Sequence, residues 1–328
     1  MTTAALSEPP IEAPLSAAVD VERVVFIAGV GRSGTSLLHS MLNAHPSLAF
    51  PPETHFFRRY VSATGRRRRL ETAASAALCE QLRRDTDFAR LAVAPELLLS
   101  APGAGAPDTL AAFRALLRAV AERQGKTRVG EKDPRHIDDI AALAAAFPQA
   151  LLVHVYRDPR EVLLSRTKAE WSRGRPWWLH ALLAQDQVRR ARSLGPRHFG
   201  ERYVEVRYEE LLDAPEAVLR RITSAAGLAY APEMLDFASS AQSLVDARER
   251  SWKGETLGPL LRDNKEKWRR GLTPFQIEFV EAVSATAFDE LGYTRSRGPG
   301  ALRVLSPLLR GPARAVFAVR RALERRRC

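Results

Sequence analysis

The stretch Val24–Ala44, VVFIAGVGRSGTSLLHSMLNA, contains the local features that predict the fold. Val24–Ala28 is an apolar run rich in β-branched residues and stopped by glycine, which is typical of a buried strand in a parallel sheet. The glycines that follow are Gly29, Gly31 and Gly34. They predict a tight turn, and we expect a helix to begin near Thr35. Because a helix start presents unpaired N–H groups and about half a positive charge, this strand–turn–helix unit predicts an anion site, most often for phosphate.

The spacing of the turn distinguishes two kinds of phosphate loop. The Mg²⁺-nucleotide loop, Walker A, reads G-x-x-x-x-G-K-[ST]. Gly29 and Gly34 fit this spacing, but Thr35 stands where the lysine is required, and the basic residue lies inside the loop at Arg32. The pattern G-x-x-[RK]-S-G-T-[ST] resembles the 5′-phosphosulfate loop of sulfotransferases that use 3′-phosphoadenosine 5′-phosphosulfate (PAPS). The resemblance implies that the donor is bound by Gly31, Arg32, Ser33, Gly34, Thr35 and Ser36.

The composition is that of a globular α/β protein with a basic surplus. The chain has 328 residues, 45% hydrophobic and 27% charged, which suits one large domain or two small ones. Lys and Arg outnumber Asp and Glu by 50 to 38, a net charge of +12. This favours anionic partners, although a solvated basic surface explains it equally well. Cys79 and Cys328 are too few for a disulfide framework, so we expect a cytoplasmic location.

Apolar runs alternate with helical patterns along the chain. We expect strands at Val24–Ala28, within Thr127–Pro134, at Leu151–Val155 and at Tyr203–Val206. We expect helices from Thr35 to residues 43–46 and over Leu70–Leu82, Pro95–Leu99, Thr109–Arg123, His136–Ala146, Pro159–Trp171, Trp178–Ser193, Pro215–Ala226, Pro232–Ala238 and Pro274–Leu291. This alternation predicts an α/β, P-loop-containing nucleotide-binding fold, with a central parallel sheet and helices on both faces. Ligands of such sheets bind beyond the carboxyl ends of the strands.

Composition also divides the chain into regions. Residues 1–20 contain three prolines and no apolar run, so we expect a disordered leader without the features of a signal peptide. Residues 21–295 form the predicted folded domain, in which 60–125 is a mostly helical insertion and a candidate lid over the acceptor. Residues 296–328 form a basic amphipathic tail that either packs on the domain or contacts an anionic membrane peripherally. No stretch approaches ~18 uninterrupted apolar residues, so no membrane span is expected.

The segment YRDPREVLLS supplies a second candidate phosphate contact. Arg157 follows a predicted strand, and Ser165 lies two turns into the next helix, so both can reach one phosphate. In spacing, the pair resembles the 3′-phosphate site of the PAPS-dependent sulfotransferases, and it stands about 125 residues after Arg32 as it does in that family. Without this resemblance, the Arg-Asp-Pro turn indicates only that Asp158 caps a helix.

Lys132, in the segment GEKDP, is a candidate for the chemistry. The resemblance implies that this strand-end lysine neutralises the charge that develops on the leaving phosphate. The alternative is a surface lysine paired with Asp133. Weaker resemblances imply that Tyr208, Ser251 and Lys267 contact the nucleotide.

Glu53 is the candidate general base. It lies 21 residues after Arg32, in a span that resembles the tyrosylprotein sulfotransferases, whose matching glutamate takes the proton of the acceptor hydroxyl. A carboxylate suits this role because the hydroxyl must lose its proton as it attacks sulfur. His55 and His136 are alternative bases, since the cytosolic small-molecule sulfotransferases use a histidine shortly after the lysine.

The resemblance covers roughly Val24–Tyr293 and implies in-line transfer of a sulfuryl group from PAPS, with Arg32 and Lys132 stabilising charge and no metal required. The loop and the early glutamate are nearer to the tyrosylprotein and carbohydrate branch. Because neither a membrane anchor nor secretory disulfides are expected, we expect the acceptor to be an intracellular hydroxyl, of a sugar, a lipid or a secondary metabolite. We expect no nucleic-acid partner. A P-loop kinase or NTPase using a Mg-nucleotide is the alternative, as is a non-catalytic basic module that binds nucleic acid or membrane.

Overall fold

The computed structural model describes residues 19–62, 72–99, 108–172 and 174–296. The expected leader, 1–20, and the expected tail, 296–328, therefore lie almost entirely outside the described residues. Among those described, no helix combines the length and the apolar character needed to cross a membrane.

Five parallel strands form the central sheet. They are β1 (Asp20–Gly29), β2 (Leu48–Ala49), β3 (Arg128–Lys132), β4 (Leu151–Tyr156) and β5 (Tyr203–Arg207). Their order across the sheet is β2-β3-β1-β4-β5, so the chain extends the sheet first on one side of β1 and then on the other. The carboxyl ends of β1 and β4 meet where the connections diverge, which is the usual ligand site of such sheets. The predicted parallel sheet is confirmed, and β2 is a short strand that the sequence did not predict.

Helices cover both faces of the sheet. The α-helices are α1 (Thr35–Asn43), α2 (Thr72–Arg84), α3 (Thr86–Ala89), α4 (Pro95–Leu99), α5 (Thr109–Arg123), α6 (Ile140–Ala146), α7 (Pro159–Lys168), α8 (Trp177–Phe199), α9 (Tyr208–Asp213), α10 (Pro215–Ala225), α11 (Ala238–Leu244), α12 (Arg250–Lys253), α13 (Trp268–Gly271) and α14 (Pro274–Val283). Short 3₁₀ helices cover Pro134–Asp138, Glu170–Ser172, Gly200–Arg202, Pro232–Leu235, Ala247–Glu249 and Gly254–Thr256, and π-helical turns cover Phe57–Ser62 and Thr286–Glu290. The described parts of 60–125 are thus largely helical.

Four expected helices are divided in the structure. The helix expected over Pro159–Trp171 ends at Lys168 before a 3₁₀ turn, and the one expected over Pro232–Ala238 is a 3₁₀ turn that ends at Leu235, with α11 beginning at Ala238. The helix expected over His136–Ala146 is a 3₁₀ turn followed by α6, because the side chain of Asp133 accepts a hydrogen bond from the Arg135 backbone N–H and starts a separate turn. The helix expected to reach Leu291 ends at Val283, and a π-helical turn follows it.

The alternation of side chains along the strands builds two cores and also positions the site. On β1, Phe26 packs into one core with Phe113 and Phe147, whereas Ile27 packs into the opposite core with helix α1. Phe26 pairs in register with Glu131 of β3, and Ile27 pairs with Lys132. Because successive side chains of a strand point to opposite faces, Glu131 and Lys132 lie on different sides of the sheet.

Candidate active site

The turn between β1 and α1 is held in shape by its own polar groups. The Ser33 hydroxyl donates to the Val155 carbonyl at 3.0 Å, which ties the loop to β4. Gly34 precedes α1 in the left-handed region with φ of 98°, and a Cβ there would lie 2.1 Å from the Tyr208 ring. Only glycine fits this position. Arg32 also has a positive φ, of 80°, a conformation that costs about 1–2 kcal/mol in a non-glycine residue.

Two arginines converge on this loop from different strand ends. The Arg32 Nε donates to the Ser165 hydroxyl at 2.9 Å. The Arg157 guanidinium lies over the Tyr208 ring, 4.3 Å from its centroid, and donates to the Asn264 carbonyl. Burial lowers the pKa of Arg32, and the nearby positive charge of Arg157 lowers it further. Glu161 pairs with Arg157 at 3.1 Å and offsets part of this charge, and the two guanidinium groups together still favour an anionic ligand.

Most of the predicted donor-binding residues share one cavity. It is lined by Arg32, Gly34, Thr35, Ser36, Arg157 and Tyr208, together with residues of the segment 253–264. Ser33 is fully buried beneath the loop, and a Cβ added to Gly31 would meet no atom within 4 Å. Lys267 does not line the cavity: it is half exposed and pairs with Glu255 at 3.1 Å. The side chain of Ser251 lies outside the part of the structure that is described.

Glu53 lies between two buried lysines beside the cavity. Its Oε1 accepts hydrogen bonds from Lys132 and, at 2.6 Å, from Lys253. The Lys132 Nζ is also 3.4 Å from the Ser36 hydroxyl, at the start of α1. Burial raises the pKa of Glu53, but the charges of Lys132 and Lys253 outweigh it and hold this pKa below its usual range. Glu53 is therefore ionised at neutral pH.

Lys253 is a site residue that the sequence did not predict. It is separated from Glu53 by 200 residues, and its Nζ also donates to Glu249 at 2.6 Å. Burial lowers the pKa of Lys253, but the two carboxylates outweigh it and raise this pKa. The one hint in the sequence was that Lys253 lies two residues after Ser251, a predicted nucleotide contact. Spacing along the chain could not show that Lys253 reaches Glu53.

His55, the first alternative base, lies on the same side as Glu53. Its Nδ1 is 2.9 Å from the Asp133 carboxylate, which is buried and also receives the Arg58 Nε at 3.5 Å. Burial lowers the pKa of His55, but the hydrogen bond to Asp133 outweighs it and raises this pKa. Glu53, His55 and Asp133 offer potential metal-ligand atoms within 4.8 Å of one another. Lys132, Lys253 and Arg58 already supply positive charge to these carboxylates.

His136, the second alternative base, lies on the other face of the sheet. Its Nε2 contacts the Glu131 carboxylate, which also accepts from the Thr54 hydroxyl at 3.0 Å. The ring is 1% exposed and packs edge-on against Phe26 and Phe57. Since Glu131 and Lys132 point to opposite faces, the sheet itself separates His136 from the phosphate loop.

The features of a Mg²⁺-dependent phosphate loop do not come together at this site. The position of the Walker lysine is Thr35, which is buried at the start of α1. The carboxylate of Asp158 caps α7 and is bound by the Arg160 guanidinium at 2.6 Å. The arrangement is instead an anion-binding loop with arginines on one side and an ionised carboxylate between two ammonium groups on the other. These features define a P-loop protein of the group-transfer class.

Comparison with known proteins identifies the family within this class. The family model described as "Sulfotransferase family" matches residues 24–232, and the chain belongs to this family. Nodulation protein NoeE of Sinorhizobium fredii is 27% identical over 301 residues, which cover 83% of this chain and 66% of that protein. Carbohydrate sulfotransferase 2 of Mus musculus is 34% identical over 111 residues, covering 34% of this chain and 21% of that protein. The chain thus spans less than two thirds of either relative.

Solved structures share the fold. The sulfotransferase domain of the Synechococcus PCC 7002 olefin synthase has a TM-score of 0.56 and 23% identity, covering 81% of this chain and 96% of that domain. The sulfotransferase domain from the curacin biosynthetic pathway has a TM-score of 0.59 and 17% identity, covering 83% and 98%. At this level of sequence identity, the likeness shows a shared fold and nothing further.

Proposed function

We propose that the protein transfers a sulfuryl group from PAPS to the hydroxyl group of a small-molecule, glycan or lipid acceptor. One observation carries this proposal: the loop with Arg32, which donates to Ser165, and Arg157 line a cleft beside an ionised glutamate held by two lysines. Membership of the sulfotransferase family supports it. We also propose a cytoplasmic location, because the two cysteines of the chain are too few for a disulfide framework.

The residues around the loop fit an anionic nucleotide with two phosphate groups. The start of α1 and the hydroxyls of Thr35 and Ser36 are suited to the 5′ end, because unpaired backbone N–H groups and the helix dipole favour negative charge. Arg157 and Ser165 are suited to the 3′-phosphate, since a guanidinium binds phosphate oxygens in a bidentate manner, and Arg32, which donates to Ser165, links them to the loop at the 5′ end. Tyr208 offers its ring beside them. Lys267 would act indirectly, by holding Glu255 at the cavity wall.

Glu53 is the proposed general base and Lys132 the proposed electrophilic residue. When bound, PAPS supplies the sulfuryl group and a phosphate that keeps the electron pair of the broken S–O bond. Lys132 and Lys253 neutralise the negative charge of this phosphate at the end of the cleft beside Glu53. As their ammonium groups turn from Glu53 towards phosphate oxygens, the pKa of Glu53 rises, because its neighbouring positive charges withdraw. Glu53 then takes the hydroxyl proton while the acceptor oxygen bonds to sulfur.

The acceptor would approach Glu53 from the side of the helical insertion. In the described part of 60–125, the Arg90 guanidinium pairs with Asp246 at 3.2 Å and with Glu249 at 3.6 Å. Glu249 in turn binds Lys253. The insertion therefore contacts the segment that carries Lys253, as a lid over the acceptor requires. The relative named as a carbohydrate sulfotransferase makes glycans the first acceptors to test.

Calorimetry with 3′-phosphoadenosine 5′-phosphate (PAP) tests the donor assignment without an acceptor. We expect tight binding in the presence of EDTA, with loss of affinity in an Arg157→Gln variant. Absence of PAP binding, or turnover of ATP that requires Mg²⁺, would contradict the proposal. Incubation with ³⁴S-labelled PAPS and panels of sugars, lipids and hydroxylated metabolites, followed by mass spectrometry, then identifies the acceptor.

A further inference from the structure

A buried histidine on α1 has a ring nitrogen without a hydrogen-bond partner. His39 lies on α1, one turn after Ser36, and is 2% exposed. Its ring packs edge-on against Phe50, with 5.1 Å between the centroids. The Nε2 atom is buried and has no hydrogen-bond partner in the structure. Since nearly all buried polar atoms are hydrogen-bonded, this atom is a candidate partner for a polar group that reaches it.

The protonation state of the ring defines which partner is suitable. The backbone of Pro51, which has no N–H and can only accept, acts on the His39 ring, and because Nε2 is unpartnered, we assign this influence to Nδ1. A backbone carbonyl accepts, so Nδ1 carries the proton and Nε2 is a free acceptor. Burial lowers the pKa of His39 well below its usual value, and the charge of Lys132 lowers it further. The neutral ring therefore offers its lone pair to a donor.

The direction of the side chain brings this acceptor to Lys132. Side chains on a helix lie over the turn that precedes their own Cα, so His39 covers the turn that contains Ser36. The Ser36 hydroxyl is 3.4 Å from the Lys132 Nζ. The charged groups that act on His39 are those of Lys132, Glu53 and Lys253. His39 thus lies one turn from the Ser36 hydroxyl that approaches Lys132, and its ring packs on Phe50, whose ring covers Gly130 on the same face of β3 as Lys132.

We propose that His39 is a positioning residue for Lys132: its Nε2 accepts a hydrogen bond from the ammonium when Lys132 turns from Glu53 to the phosphate of the donor. The inference rests on the proposed function, since it assigns a partner to the same lysine. An ammonium has three donors and no acceptor, and the proposed partners are a phosphate oxygen, the Ser36 hydroxyl and Nε2. A neutral acceptor suits this place because a second carboxylate would hold the ammonium away from the phosphate.

Paired substitutions separate this role from simple packing. His39→Gln keeps an acceptor oxygen at similar reach, whereas His39→Leu keeps bulk and removes the acceptor. We expect His39→Leu to slow the acceptor-free hydrolysis of PAPS to PAP by roughly tenfold, the effect of losing one hydrogen bond to a charged group. His39→Gln should restore most of the rate, and it should also restore the affinity for PAP, which His39→Leu lowers because the hydrogen bond forms in the PAP complex. Equal rates in the Leu and Gln variants would overturn the proposal.

His45 supplies the matched control. It is a buried histidine just after α1, and both of its ring nitrogens are bonded, to the Ala229 carbonyl and to the Ser47 backbone N–H. His45→Leu should lower the unfolding temperature without changing the rate per folded molecule.

NMR of the unsubstituted protein gives a test that does not depend on the folding of a variant. With ¹⁵N-labelled histidine, the His39 Nε2 resonance should shift when PAP is added, and it should not shift in Lys132→Met. A resonance that stays fixed although PAP binds would overturn the role of His39 alone. Failure of PAP to bind at all would overturn the proposed function as well.

Discussion

Replacement of Lys132 by methionine is the most direct test of the proposed chemistry. Lys132 is 1% exposed, and its ammonium binds Glu53 and lies near Ser36. Methionine has a similar length and volume, so it fills the same space without the charge. Removing one partner of a buried ion pair is costly when it leaves the other partner uncompensated. Here Glu53 keeps Lys253 at 2.6 Å, and we therefore expect the variant to fold.

The expected loss of activity is much larger than the loss of stability. If Lys132 stabilises the charge that develops on the leaving phosphate, its removal deletes one preorganised donor in a buried site. Such deletions lower kcat by roughly 10²–10³-fold, or about 2.7–4 kcal/mol. The affinity for PAP should change less, because the arginines and the loop remain.

The assay is the release of PAP from PAPS, with the acceptor from the mass-spectrometric screen and also without any acceptor. Lys126→Met is the control: Lys126 is a partly buried lysine that donates to the carbonyls of Asn43 and Leu48, at the opposite end of α1. It should lose stability and keep its turnover. A Lys132→Met protein that is folded, binds PAP and turns over at the normal rate would refute the reasoning.

Three further predictions follow from the same contacts. Glu53→Gln should lower kcat by about 10²-fold or more, since general base catalysis contributes on that scale; normal activity with a normal pH profile would move the base to His55. Lys253→Met should shift the acid limb of the kcat/KM profile to higher pH, because Lys253 holds the pKa of Glu53 down; an unmoved limb would exclude this coupling. Gly34→Ala should lower the unfolding temperature and abolish PAP binding, because the added Cβ would overlap the Tyr208 ring. The control, Gly31→Ala, should leave the unfolding temperature unchanged. Equal unfolding temperatures in the two variants would contradict the role of Gly34.

Local patterns in the sequence were sufficient for the class of fold. The apolar run of β1, its glycines and the helix after them are adjacent in the chain, and their geometry depends on neighbouring residues. The longer strands could be predicted for the same reason. The two-residue strand β2 could not, because it is too short to show a period and is defined only by pairing with β3.

The sequence and the tertiary structure each determined part of the candidate site. The resemblance of the motifs to the sulfotransferase family predicted Arg32, Glu53, Lys132, Arg157 and Ser165 as site residues. The fold brings their side chains to one edge of the sheet because the residues follow strands whose carboxyl ends meet there. The same resemblance left His55 and His136 as equal alternatives. The alternation of side chains along β3 distinguishes the two histidines. His136 binds Glu131, which lies on the face of the sheet opposite Lys132.

The sequence by itself therefore determined the phosphate loop, the alternating architecture and the candidate charges. Only the tertiary structure decided that Lys253 shares Glu53 with Lys132 and that the Nε2 of His39 is buried without a partner. The physical reason is that periodicity and spacing report contacts within a few turns of a helix or strand. A contact across 200 residues, and the burial that shifts a pKa, exist only after the elements have packed.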